Sequence, residues 1–397
     1  MYRNNLSRAL RHFVVAFCVT LPLTATTASA VEAKDINLPN TMVWTAYPTG
    51  TTGYSQAVGI GAVLQDEYGV NLRVIPARND ISRFEPVRRG RAHFSAGGVE
   101  AMMAQEGIHD FGTESWGPQP IRSSLWNLSD GCSFTLQVHG DSDIDRVQDL
   151  KDKRVPYVIG ASAPNAGLEY LMRYGNVTWD DVQVVEMGGF SNMMTSFLDG
   201  DIDVMWTGCN SAVVHRLANA PRGVKFLEFP HDDVEAVQRV TENAPWFIPH
   251  LSTDVIGMDA GDGIEVFTSP YPMLATYAST ESEVVYSLTK ALHIHFDDYQ
   301  DNAPGQEGWA MDRQQLETSF VPFHEGAVRY FREQGLWTEA AQKNNELRKR
   351  RQEVLIAAWD AYTANAPDDE EAFAEGWMKA RYEALTENDM NPLMESW

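Results

Sequence analysis

Residues 41–77 read TMVWTAYPTGTTGYSQAVGIGAVLQDEYGVNLRVIPA. A β-rich run, Met42–Tyr47, meets a turn rich in glycine and hydroxyls, Pro48–Ser55. An apolar-periodic stretch without proline follows, and then a second β-rich run, Asn71–Ala77. Parallel neighbours need a crossover long enough to hold a helix, so this order of strand, glycine turn, helix and strand implies a parallel-rich α/β sheet. The unit continues with a helix over Ile81–Arg89, a stop at Gly90, and a short strand, Ala92–Ala96, running into Gly97-Gly98. It recurs downstream as Val155–Ile159, the loop Gly160–Asn165, a helix over Ala166–Gly175, and the strand Val182–Met187. A helix after Gly188-Gly189-Phe190, a stop at Gly200 and the strand Ile202–Trp206 complete it. Gly90 and Gly200 hold equivalent places, each closing a helix just before a strand.

Two such halves imply two lobes facing each other across a cleft. Lobe one is expected over 41–126 plus 271–336, lobe two over 127–249, and a return crossing over 250–270. Residues 337–397 form a separate helical extension: from Thr338 to Tyr362 there is no Gly or Pro, and Leu347, Val354, Leu355, Ala358 and Tyr362 share one helical face. Pro367 and the acids after it then start a second helix. The natural reading is a helical hairpin packed on lobe one, with a partner-docking helix as the alternative.

Residues 1–30 differ from the rest. Arg3, Arg8 and Arg11 precede the apolar run His12–Leu23, and Ala28-Ser29-Ala30 has the small-x-small form of a signal-peptidase site. The run is too short to span a bilayer, so a cleaved secretory signal and a periplasmic chain without membrane insertion are expected. The 397 residues carry 55 acidic and 31 basic side chains. Removing a signal with three Arg and no acid takes the formal charge from −24 to −27. Nucleic-acid binding is excluded on that balance, because phosphate neutralisation needs Lys and Arg. In an oxidising compartment Cys132 and Cys209 either pair or remain buried thiols.

Ligands of open α/β sheets sit at the carboxyl ends of the strands, where helix amino ends point outward. The expected ligand-binding set is therefore Gly50, Thr51, Thr52, Gly53, Tyr54, Asn79, Gly98, Ser162, Ala163, Asn165 and Thr207, with Phe190 and Trp206 as walls. The segment TGTTGYS is neither a Walker loop nor a dinucleotide fingerprint and is read as an anion or carboxylate cradle. Arg83 or Arg122 is a candidate to assist it. His293, His295 and Asp297 lie in a helical stretch where residues two apart diverge, so no metal site is expected there. Asp259 and Asp262 read as a turn. No nucleophile elbow or zincin motif occurs, so neither an enzyme nor a cofactor is expected.

The stretch VPFHEGAVRYFREQG (Val321–Gly335), with its Pro-x-His-x-Gly-Ala core, resembles the C-terminal signature of the TAXI class of solute-binding proteins, the receptors of tripartite ATP-independent periplasmic (TRAP) transporters. TGTTGYSQAVGIGAVLQ and residues 245–292 are similar to other parts of that family in the same order, over about Thr41–Leu336. The resemblance implies a type II two-lobed periplasmic-binding-protein fold that closes on a small organic acid and delivers it to a membrane permease. It also implies that His324 serves the fold and does not touch ligand. A monomer is expected. This chain has Gly50-Thr51-Thr52-Gly53 where the family usually has adjacent glycines, and Gly160-Ala161-Ser162-Ala163-Pro164-Asn165 where it usually has Gly-Ser-Gly. The family's glutamate is accordingly not carried over. The alternative is a sensor that presents ligand to a signalling receptor through the C-terminal helices. On either reading, removal of the residues after Thr338 is expected to leave ligand affinity intact.

Overall fold

A computed structural model describes residues 36–131, 134–209, 211–253, 255–257, 262–395 and 397. The signal segment, Cys132 and Asp259 lie outside the described residues. Elements are numbered along the chain. Lobe one is built on a sheet of order β2-β1-β3-β12-β4. These strands are β1 (Thr41–Ala46), β2 (Asn71–Pro76), β3 (Phe94–Gly97), β4 (Ile121–Trp126) and β12 (Met273–Tyr277). β2 and β3 run parallel to β1, joined by the crossover helices α1 (Thr52–Tyr68) and α2 (Asp80–Arg88). β12 returns from the other lobe and pairs antiparallel to both β3 and β4. Helix α3 (Glu100–Glu106) follows β3 directly.

The chain enters lobe two after β4. Three small sheets form there: β8-β5-β9, β6-β7 and β10-β11. The strands are β5 (Phe134–His139), β6 (Arg154–Val158), β7 (Gln183–Met187), β8 (Val204–Gly208), β9 (Val224–Phe226), β10 (Ile248–Ser252) and β11 (Ile264–Thr268). Among the described residues of this lobe only β6 and β7 pair in parallel; β5 opposes β8 and β9, and β10 opposes β11. The two-lobed α/β architecture is as expected, but lobe two is less parallel than the alternation of strands and helices suggests. The reason is that β5 arrives from the other lobe and is not held to a crossover helix. Helices α4 (Ser162–Tyr174), α5 (Phe190–Asp199) and α6 (Ala212–Ala218) pack on it and α7 (Val234–Thr241) packs on α4, with Val158, Met193, Phe197, Met205 and Val213 in one buried cluster. Residues 250–252 end β10 and residues 264–268 form β11, whose Ile264 and Val266 pack with buried Cys209. Cys209 is disulfide-bonded. Gly200 closes α5 at φ +80° and Gly90 follows α2 at φ +65°, left-handed positions that favour glycine.

After β12 come α8 (Ser282–Ile294), α9 (Phe296–Tyr299) and α10 (Glu325–Glu333). His324 is the amino-terminal cap of α10, its Nδ1 accepting from Gly326 N at 3.2 Å. The extension is a hairpin of α11 (Glu339–Thr363) and α12 (Glu370–Glu387). It is tied into lobe one by charge as well as by packing. Arg351 and Arg381 both bond the Glu106 carboxylate, at 2.6 and 2.7 Å, with all three side chains 6% exposed or less. Trp377 donates to Gly107 O, and Gln352 donates to Gln105 Oε1 and Ile121 O. Arg122 is committed here, to Gln352, and takes no part in the cleft. No helix among the described residues is long and apolar enough to cross a membrane.

Candidate functional site

The site grows out of three strand ends. β1 ends in Tyr47 and Pro48, and the Thr51 hydroxyl donates to Pro48 O at 2.8 Å, turning the chain into α1. The first amides of α1 have no acceptor within the helix, so its amino end can face a negative group. β3 ends at Gly97, and α3 begins at once with Glu100, which accepts from Gly98 N at 2.7 Å. In lobe two, β8 delivers Trp206, Thr207 and Gly208 to the same level. Between these ends lies a small cavity, with about 30 Å³ of space open to the centres of solvent molecules.

Seven of the expected residues stand on the cavity wall: Thr51, Thr52, Gly98, Ala163, Phe190, Trp206 and Thr207. The other six do not. Asn79 caps α2 through Ser82 N and donates to Ile159 O across the cleft. Asn165 is spent on both backbone groups of Val158, and Ser162 donates to Asp110 at 2.8 Å. Gly50 and Tyr54 lie off the wall. Gly53 lies beneath Tyr271, whose hydroxyl would be 2.7 Å from a Cβ there, and Gly98 is overlaid by the same ring. These two glycines are needed for the close approach of Tyr271.

Sequence reasoning missed Tyr47, Glu100, Phe134 and Tyr271, all on the wall. Glu100, two residues beyond the glycine tip of β3, carried the one local signal. Phe134 stacks obliquely on Trp206 with ring centroids 4.7 Å apart and meets Tyr271 edge-on at 4.8 Å. Tyr47 of lobe one lies against Phe190 of lobe two at 4.8 Å.

Behind the wall is a buried charge cluster. Arg83 Nη2 bonds Asp80 at 2.8 Å and Glu100 at 2.5 Å, and its guanidinium lies 4.0 Å from the Tyr47 ring centroid. Tyr47 donates to Asp80 at 2.6 Å. Arg83 is thus internal to the cluster, which corrects its expected role as a free ligand contact. Burial alone would lower the Arg83 pKa, but Glu100, Tyr47 and Asp80 more than offset this and raise it. Burial pushes Asp80 up, with Arg83 opposing. Burial likewise pushes Glu100 up to about 7 against the pull of Arg83, with Asp80 adding to the rise. Tyr271, also beside Arg83, is raised to about 12 by burial.

A raised carboxyl pKa means that the folded chain holds its proton longer than the unfolded one. The stability contributed by Glu100 is therefore fully present below about pH 4.5 and is lost as pH rises through about 7. Glu100→Gln should flatten the decline in urea midpoint between those values. Identical pH profiles for the two proteins would count against this placement of the proton.

The lobes are in direct contact. Asp80 Oδ2 accepts from Ala163 N at 2.8 Å at the amino end of α4. Asn79 bonds Ile159 O, Ser162 bonds Asp110, and Phe190 N donates to Arg78 O. A Cβ on Gly208 would lie 2.9 Å from Thr52 Oγ1. This is a closed arrangement held by a few hydrogen bonds, each worth about 1 kcal/mol net. The double variant Asn79→Ala, Ser162→Ala should shift the open–closed balance toward open by roughly tenfold or more. Small-angle scattering should then show a larger radius of gyration, and an unchanged value would refute the latch.

Glu67, His295 and Asp298 also come together, with ligand atoms within 4.8 Å of one another. Both His295 nitrogens are already engaged, one with Tyr68 and one with Asp298. His293 bonds Tyr330 within lobe one.

A model of the NMT1-like family matches residues 45–335. No curated protein matches the chain. Among solved structures, an ancestral arginine-binding protein bound to arginine aligns at 14% identity and a TM-score of 0.43, over 69% of this chain and 99% of that one. The alkanesulfonate-binding protein SsuA from Xanthomonas axonopodis pv. citri bound to MOPS aligns at 13% and 0.42, over 77% and 96%. The periplasmic aliphatic sulphonate binding protein SsuA from Escherichia coli aligns at 14% and 0.41, over 88% of each.

Proposed function

The chain belongs to the NMT1-like family, and from that premise we propose that it is an exported solute receptor of the TAXI type. It captures a small organic acid between its lobes and hands it, in the periplasm, to a TRAP-type membrane permease. The observation that carries this reading is the cavity itself, walled from both lobes at the carboxyl ends of β1, β3 and β8 and bridged by hydrogen bonds that opening would break. Binding energy then works by favouring the closed form, which a permease can recognise.

Two features support an acid. The amino end of α1 brings Thr51 and Thr52 to the wall, and the hydroxyl of Thr207 stands on the wall opposite. A carboxylate would be held by helix amides and hydroxyls together. Among the described residues the wall offers no nucleophile paired with a base, and the receptor reading needs no covalent chemistry.

A thermal-shift screen of purified protein against mono-, di- and keto-carboxylates and amino acids tests the proposal. A ligand at 100 times its Kd should add about 2.7 kcal/mol of stability. If no compound in any class raised Tm, the receptor reading would fail.

A further inference from the structure

The interlobe cavity is short of charge of both signs. Among the described residues no Lys, Arg or His stands on its wall, and Glu100 is the one acid there. That acid is already served: its Oε1 accepts from Gly98 N at 2.7 Å and from Arg83 Nη2 at 2.5 Å. Arg83 is fully buried, is shared with Asp80 at 2.8 Å, and sets a second nitrogen 3.4 Å from Ala96 O. Glu100 holds its proton up to about pH 7, so below that pH Arg83 and Asp80 balance each other. Tyr47 and Tyr271, both pushed up by burial, are neutral as well.

Helix amino ends are the remaining source of positive potential. That of α4 is taken by lobe one itself: Ala163 N donates to Asp80 and the Ser162 hydroxyl to Asp110, each at 2.8 Å. The amino end of α1, beside Thr51 and Thr52, is left. The wall therefore has a place for one negative group and no counter-charge for a second. An ammonium group fares no better. Threonine hydroxyls and backbone carbonyls can accept its hydrogen bonds but cannot neutralise it, and a charge taken out of water without a partner is strongly disfavoured. Space sets the length of the rest. The 30 Å³ open to solvent centres is room for about two or three water-sized groups.

We propose that the acid captured in this cleft is a short monocarboxylate whose body carries no second charge, held at the amino end of α1 with the Thr207 hydroxyl opposite. The inference rests on the receptor reading and names the class of its ligand. Its test uses isosteric pairs in which a methyl or isopropyl group is exchanged for a charged one: 2-methylpropanoate against alanine, and 3-methylbutanoate against malonate. By calorimetry on the wild-type protein below pH 7, whichever monocarboxylate binds should do so about tenfold or more tighter than its charged partner. Octanoate, too long for the cavity, should bind more weakly than that monocarboxylate. Thr207→Val should weaken its binding about threefold or more. Equal or tighter binding of alanine or malonate, tighter binding of octanoate, silence of both monocarboxylates, or unchanged affinity in Thr207→Val would overturn the inference. An amino acid or dicarboxylate that raises Tm in the wider screen would then leave the receptor reading standing, whereas silence across that screen would remove both.

Discussion

Arg83→Met should destabilise the protein by about 3–5 kcal/mol at neutral pH, the range seen when one partner of a buried ion pair is removed. Arg83 is the cation between Asp80 and Glu100, and all three side chains are essentially without solvent contact. Methionine fills the space of the stem but leaves two carboxylates facing each other in the interior. The loss should shrink as pH falls, because protonating the acids removes the uncompensated charge. The sign follows from the folded state: without Arg83 both carboxyl groups rise further, so the stability they contribute is present at low pH and lost as pH rises. The double variant Arg83→Met, Glu100→Gln should be more stable than Arg83→Met alone at pH 7. Urea titrations of the set decide the matter, and simple additivity of the two substitutions would exclude the cluster as a coupled unit.

The second large effect concerns the extension. Arg351→Met together with Arg381→Met leaves Glu106 buried with neither of its partners, and a cost of about 3–5 kcal/mol or more is expected. Arg351 and Arg381 now hold Glu106 down at about 2 although burial alone would raise it. A depressed carboxyl pKa contributes stability that is present above about pH 4.5 and lost as pH falls toward 2. The penalty of the double variant should therefore be greatest near neutrality and shrink as pH falls from about 4.5 toward 2, opposite in slope to the contribution of Glu100. A pH-independent penalty would show that the arginines act through packing alone.

This second result bears on the binding site. Helix α3 carries Glu100 at its start, on the cavity wall, and Glu106 at its end, in the grip of the extension. Asp110, four residues on, receives the Ser162 hydroxyl from the other lobe. Deleting the residues after Thr338 would strip the support from this segment. That deletion is therefore expected to lower ligand affinity, where the sequence alone led to an expectation of no change, because the hairpin is tied to α3 through Glu106; calorimetry on the truncated protein decides between the two.

Much of the scaffold was legible in the chain because its causes are local. The stops at Gly90 and Gly200 and the change from strand to helix periodicity after Tyr47 each operate within a few residues. The wall residues found from sequence, such as Thr51, Thr52 and Thr207, were legible because strand ends and helix starts are themselves local features. Asn79 and Asn165 stand off the cavity wall for an equally physical reason. Short polar side chains at helix starts look alike whether they bond ligand or backbone, and here both bond backbone.

By itself the sequence determined the α/β units, their grouping into two halves, the helical extension and the acidic surface, since each follows from composition or short-range periodicity. Tertiary structure alone decided what the cleft is made of. Tyr271 meets Phe134 from a distant part of the chain, and Glu106 meets Arg351 across 245 residues. Contacts of that span depend on how distant segments pack and leave no periodic trace, because the partners are selected by burial and charge balance in three dimensions.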